Sequence, residues 1–203
     1  MGLAQPKKRF TPQEYYELER FAEYKSDFYA GEIFAMAGGT IRHSRICTNL
    51  IRETGNRLKG TPCEAFESNL RLKIKLTGLR NYPDMSVYCG PFEYDEEDPS
   101  RETVTNPTVL FEVLSPSTEA YDRGFKSENY RRIPSLKAYL LISQNKAHVE
   151  IYQRQTDGSW SLREEDRMNA ALAIPPLGIE LPLAEIYAGV DFTAEESIAT
   201  VPR

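Results

Sequence analysis

This chain lacks a basic surplus. Among its 203 residues, 25 lysines and arginines stand against 30 aspartates and glutamates, a net charge of −5. A protein that coats nucleic acid indiscriminately carries the opposite sign. The deficit leaves nucleases open, because the carboxylates of a metal site count as negative and a bound divalent ion offsets them locally. Long apolar runs are missing too: none approaches the ~20 residues of a membrane span. Pro6-Lys7-Lys8-Arg9 stands where a signal peptide would carry its apolar region. A cytoplasmic protein with no membrane partner is expected. Cysteine is scarce. Cys47, Cys63 and Cys89 are odd in number and lack metal-ligand spacing, which reads as three reduced thiols. There is no zinc-spaced histidine pair, nucleophile elbow or phosphate-cradling glycine loop, so the common hydrolase signatures are set aside. What remains is ordinary globular composition, 40% apolar and 27% charged. It suffices for one domain over residues 10–190, with tails at 1–9 and 191–203.

Chemistry concentrates between Tyr82 and Tyr130. Tyr82-Pro83-Asp84 leads into the apolar run Met85-Ser86-Val87-Tyr88-Cys89. After a polar loop comes Thr108-Val109-Leu110-Phe111-Glu112-Val113-Leu114-Ser115-Pro116. Glu112 lies inside a β-branched and aromatic run with the signature of a buried central strand. A carboxylate there is costly unless a cation compensates it. Pro83 stiffens the approach of Asp84 to its strand. Two carboxylates delivered by neighbouring strands make the hard, oxygen-rich site that Mg²⁺ prefers. Residues 117–132 read as a helix, with Lys126 and Tyr130 four apart on one face.

Tyr82-Pro83-Asp84, the run from Glu112 to Thr118, Asp122-Arg123-Gly124 with Lys126, and Ile133-Pro134-Ser135-Leu136 together resemble the PD-(D/E)XK nuclease superfamily. The text is most similar to its Uma family of restriction-endonuclease-like proteins. The segment from Asp27 to Ile33 and His43 also match, so the resemblance covers roughly residues 10 to 187. It implies an α/β fold, a restriction-endonuclease-like mixed central sheet flanked by helices. It implies a Mg²⁺-dependent DNA endonuclease, with Mn²⁺ able to substitute. Asp84 and Glu112 would hold the ion, the Val113 carbonyl would be a third ligand, and Glu32 would stand beside it. A homodimer is expected, since two sites related by a twofold axis are the simplest way to cut both strands. The chain departs from the superfamily pattern at one point. Leu114 occupies the place two residues after the glutamate where lysine is usual, and it faces the same side as Glu112. The matching lysine is Lys126, on the following helix. Arg123 is its rival, and an outward Lys126 paired with Glu119 or Glu128 is the structural alternative.

The rest of the chain reads as scaffold. Thr11-Pro12-Gln13-Glu14 is a capping box opening a helix to about Tyr24. Lys25 to Gly38 forms a hairpin turning at Ala30-Gly31, with Glu32 either an exposed edge residue or part of the site. Thr40 caps a helix over 41–58, where His43 is structural or substrate-touching and not a metal ligand. Residues 64–76 read as one strand, alternating Leu70, Leu72, Ile74 and Leu76 with Arg71, Lys73 and Lys75. That basic row faces either phosphates or solvent. Residues 91–107 are a mobile acidic loop. Strands at 136–143, 147–154 and 160–162 extend the sheet in antiparallel fashion, with short pieces at 171–174 and 178–181 and a helix at 183–187. Two other readings compete with a nuclease: a catalytically inactive nucleic-acid-binding or regulatory module, and a scaffold with a buried carboxylate–lysine pair.

Overall fold

The computed structural model describes residues 8–36 and 38–193. The tails read at 1–9 and 191–203, and Ala37 in the hairpin segment, therefore lie outside it except for residues 8, 9 and 191–193. Helix α1 (Pro12–Phe21) opens with the reciprocal Thr11–Glu14 capping box and ends one turn short of Tyr24. Its Tyr15 ring stacks on Phe28, 4.9 Å between centroids. Strands β1 (Ser26–Tyr29) and β2 (Glu32–Ala35) follow, then helix α2 (Ile41–Leu58). The remaining strands are β3 (Cys63–Glu67), β4 (Arg71–Lys73), β5 (Arg80–Asn81), β6 (Met85–Cys89), β7 (Thr103–Val104), β8 (Val109–Leu114), β9 (Ala138–Ser143), β10 (Val149–Arg154), β11 (Trp160–Glu165), β12 (Ala171–Ile174) and β13 (Ile179–Pro182). Between β8 and β9 the chain is helical: α3 (Glu119–Tyr121), a π-helical turn (Asp122–Lys126) and α4 (Ser127–Tyr130). Helix α5 (Leu183–Ile186) closes the fold. No helix among the described residues is long and apolar enough to cross a membrane.

The strands form a six-stranded sheet in the order β11-β10-β9-β8-β6-β3, a five-stranded sheet β2-β1-β5-β4-β7, and the pair β12-β13. β8 and β9 run parallel, while β10 and β11 add the antiparallel extension. All six residues of β8 are buried, as a central strand requires. Its side chains alternate. Val109, Phe111 and Val113 pack with Ile46, Leu50 and Leu58 of α2. Leu110 and Leu114 join Leu72, Tyr130 and Tyr139 in a second core. Glu112 stands between those two leucines, so the period of two sends its carboxylate toward the second layer, where the π-helical turn lies.

Three expectations change. The strand read over 64–76 is two strands in two sheets, broken by a turn at Ser68-Asn69 in which the Leu70 amide donates to the Glu67 carbonyl (3.3 Å). Turn-forming residues override the apolar alternation there. The acidic loop is not simply solvated: Asp95 and Asp98 are 4% and 3% exposed, and β7 pairs with β4. This loop consumes the basic row. Arg71 lies 3.6 Å from Asp98, Lys73 2.7 Å from Asp95, and Lys75 2.8 Å from Glu93. Nor are there three free thiols. Cys63 and Cys89 stand directly opposite across β3 and β6 and form a disulfide, leaving Cys47 free. Strand register, not sequence spacing, brings the two together.

Candidate active site

Asp84 precedes β6 at the point where that strand meets β8. The register Met85↔Phe111, continued by one pair, sets Asp84 opposite Glu112. The Val113 amide donates to Asp84 Oδ2 at 2.7 Å, which fixes that carboxylate against the β8 backbone. From the other side comes His43. The Thr40 hydroxyl accepts from the His43 amide (3.1 Å) and anchors the first turn of α2. The imidazole Nε2 then lies 3.3 Å from Asp84 Oδ2. Burial alone would raise the Asp84 carboxyl, but the hydrogen bond and charge of His43, the field of Lys126 and the Val113 amide together hold it below its ordinary value. Burial likewise opposes charge on His43, yet Asp84 raises it to about 11. The two form an imidazolium–carboxylate pair. Cys47 Sγ is 3.6 Å from His43 Nδ1, and burial pushes this thiol up.

Glu112 is 2% exposed. Two donors from the following helix converge on its Oε1: Lys126 Nζ at 3.0 Å and the Tyr130 hydroxyl at 2.7 Å. Their four-residue spacing places both on one face, as the sequence reading expects. Lys126 also pairs with Asp122 Oδ1 at 2.9 Å. The π-helical turn spans that i,i+4 pair, and such turns recur at functional sites. Burial pushes the Glu112 carboxyl up to about 8 against the pull of Lys126, and the charges of Asp122 and Asp84 add to the push. Burial would strip Lys126 of its proton, but surrounding carboxylates hold it cationic, well above its ordinary value. Glu112 acts most strongly, then Asp122, Asp27 and Asp84.

Asp27 is the residue the sequence reading missed. It lies on β1, buried, with Oδ2 accepting from the Tyr121 hydroxyl at 3.2 Å and Oδ1 lacking a hydrogen-bond partner. Burial raises its carboxyl to about 6 although Lys126 draws it down. The available signal was the Asp27-Phe28-Tyr29 alternation, which puts an acid on the same face as Tyr29; that ring packs edge-on against Phe125 of the π-helical turn (4.9 Å). Glu32 pairs with Tyr29 in register and so shares that face, but on the outer strand β2 and half-buried. It is not among the four carboxylates acting most strongly on Lys126. Arg123 turns away: its guanidinium reaches Glu119 (2.7 Å) and forks onto Glu150 on β10, two strands from Glu112. Glu119 and Glu128 thus engage Arg123 and Arg132, not Lys126.

The geometry has relatives. A solved structure described as a putative nuclease belonging to DUF820, from Anabaena variabilis, superposes with a TM-score of 0.70 at 18% identity, covering 88% of this chain and 98% of that one. That likeness is one of fold. Two uncharacterised proteins of Synechocystis sp. are similar in sequence. The protein slr1290 is 35% identical over 187 residues, covering 92% of this chain and 96% of its own. The protein sll1609 is 38% identical over 165 residues, covering 81% and 92%. The model of the Uma2 family, described as "Putative restriction endonuclease", matches residues 12–184, a span that holds Asp27, Asp84, Glu112 and Lys126 alike. This chain therefore belongs to the Uma2 family.

Proposed function

We propose that the protein is a divalent-metal-dependent endonuclease that hydrolyses phosphodiester bonds in DNA and acts as a homodimer. One observation carries this reading. Four carboxylates, Glu112, Asp122, Asp27 and Asp84, surround Lys126, and Lys126 and the His43 imidazolium do not balance them. Burial, aided by the charges of Asp122 and Asp84, keeps the Glu112 carboxyl elevated. Mg²⁺, or Mn²⁺ in its place, would relieve the excess. The donors fit such an ion: Asp84 and Glu112 offer hard oxygens from register-opposed positions. The Val113 carbonyl projects toward the same strand edge as its amide, which meets Asp84.

When bound, the ion polarises the scissile phosphate and lowers the pKa of a water. The chain's own residues do the rest. His43 keeps Asp84 ionised and oriented. Tyr130 and Lys126 fix the Glu112 carboxylate, and Tyr130 is itself held by the Asn81 amide. Lys126, cationic and buried, would donate to the charge that develops on phosphate oxygens. Glu32, half-buried on β2, would act as an outer acceptor. The decisive test incubates the protein with Mg²⁺ or Mn²⁺ and supercoiled plasmid, linear duplex, single-stranded and branched DNA, plus RNA. Cleavage of DNA is expected. Binding without cleavage across the panel supports the second reading, an inactive nucleic-acid-binding or regulatory module, which the saturated Lys126–Glu112–Asp122 pairing favours.

A further inference from the structure

His43, Cys47 and Asp84 differ in chemistry from the rest of the pocket. Around Lys126 the carboxylates offer only oxygen. Here a nitrogen, a sulfur and an oxygen converge. His43 and Cys47 are four residues apart on α2 and share a face, while Asp84 arrives from the sheet. One ring nitrogen, the Cys47 sulfur and one Asp84 oxygen all lie within 4.8 Å of one another. Imidazole, thiolate and carboxylate form a borderline-soft donor set, suited to Zn²⁺ and of no use to Mg²⁺. Four-coordinate Zn²⁺ holds N and O at about 2.0–2.2 Å and S at about 2.3 Å, which separates neighbouring donors by roughly 3.3–3.8 Å. Nδ1 now faces Cys47 and Nε2 faces Asp84, so a rotation of the ring together with a closing movement would complete a three-ligand site with the fourth position open to water.

A Cβ added at Gly39 would come within 2.8 Å of His43 Nδ1, so the loop entering α2 lies close over the imidazole and a side chain there would displace the ring. A second group, His148, Glu150 and Glu164, also gathers within 4.8 Å. Its Glu150 is already forked by Arg123, and it has no sulfur.

We propose that His43, Cys47 and Asp84 form a Zn²⁺ site that competes with the oxygen site for Asp84. On binding, the Cys47 S–H bond and the His43 N–H bond facing the ion break. Both protons leave to water, and metal–sulfur and metal–nitrogen bonds replace them. The binding is a property of these three side chains alone. Its consequence, withdrawal of Asp84 from Glu112 and silencing of cleavage, rests on the nuclease reading.

Co²⁺ is the probe. The whole protein is prepared without reductant, so that the Cys63–Cys89 disulfide stays closed and Cys47 is the free thiol. A thiolate-to-cobalt charge-transfer band in the near ultraviolet is expected, and Zn²⁺ displaces it. Cys47→Ser, almost the same size, removes the band and weakens Zn²⁺ binding by about a hundredfold or more, since even outer-shell losses cost 10- to 100-fold. His43→Gln keeps the thiol and loses comparable affinity, a second reading should Cys47→Ser fold poorly. No band in the parent protein, or a band that survives Cys47→Ser, overturns the site. A band in a protein that also cleaves nothing with Mg²⁺ or Mn²⁺ when free of Co²⁺ and Zn²⁺ upholds the Zn²⁺ site and sinks the nuclease reading instead.

Discussion

Replacing Glu112 by glutamine tests the electrostatic heart of the pocket without emptying it. Glutamine keeps the shape and still accepts from Lys126 and Tyr130, but it cannot titrate. In the folded protein burial raises the Glu112 carboxyl from its ordinary 4.5 to about 8. Folding therefore binds this proton more tightly than the unfolded chain does. The stabilisation is complete below 4.5 and drains away as pH climbs to about 8. The difference of about 3.5 pH units, at 1.36 kcal/mol each, sets a ceiling of about 5 kcal/mol on the loss. Asp27 titrates within the same window, near 6, but it does so in both proteins and cancels when they are compared.

The assay is urea unfolding of chelator-treated protein at a series of pH values between these limits, parent against Glu112→Gln. The parent should lose several kcal/mol relative to the variant as pH rises. Mn²⁺ at the alkaline end should return about 2.7 kcal/mol to the parent at a hundredfold excess over its dissociation constant, and nothing to the variant. Parallel pH profiles would mean that Glu112 titrates as an ordinary carboxylate. The pocket would then hold no strained carboxylate for a cation to relieve.

The remaining expectations are simpler to read. Lys126→Met should leave metal binding nearly intact and slow cleavage by roughly a hundredfold or more, the scale of losing one transition-state donor; Arg123→Met, already committed to Glu150, should not, and the reverse pattern would transfer the role to Arg123. Calorimetric titration of Asp84→Ala combined with Glu112→Ala should show Mn²⁺ binding abolished, and binding equal to the parent's would show the ion sits elsewhere. Cys63→Ser should cost ~3–4 kcal/mol in urea unfolding, the loop-closure value for a separation of 26 residues, with no further loss on adding reductant; a variant as stable as the parent would show that the bridge constrains little.

Much of this pocket was legible in the sequence. A lone carboxylate inside Val109-Leu110-Phe111-Glu112-Val113-Leu114 has few places to go but toward a cation, and the period of two fixes which way it faces. The 41–58 helix follows from Thr40 and an apolar stripe. The elements that misread are those decided at long range. Residues 64–76 alternate like a strand throughout, and only tertiary pairing reveals that β3 and β4 belong to different sheets. The acidic loop looked solvated because its partners, Arg71, Lys73 and Lys75, lie some twenty residues upstream. Asp27 gave a weak signal for a similar reason: one acid in a short strand is unremarkable until Tyr121 and Lys126 arrive from ninety residues away.

The displaced lysine has a physical reading. A lysine at position 114 would sit on the same face of β8 as Glu112, beside Leu72 and Tyr139 in the second core. Burying an ammonium among those apolar side chains costs far more than burying leucine. Lys126 instead enters from the π-helical turn, where Asp122 meets it at 2.9 Å before it reaches Glu112 at 3.0 Å. Its charge is shared between two buried carboxylates. A lysine on β8 would have had Glu112 alone. The helix thus supplies the cation together with the anion that tethers it, and the apolar face of β8 stays closed.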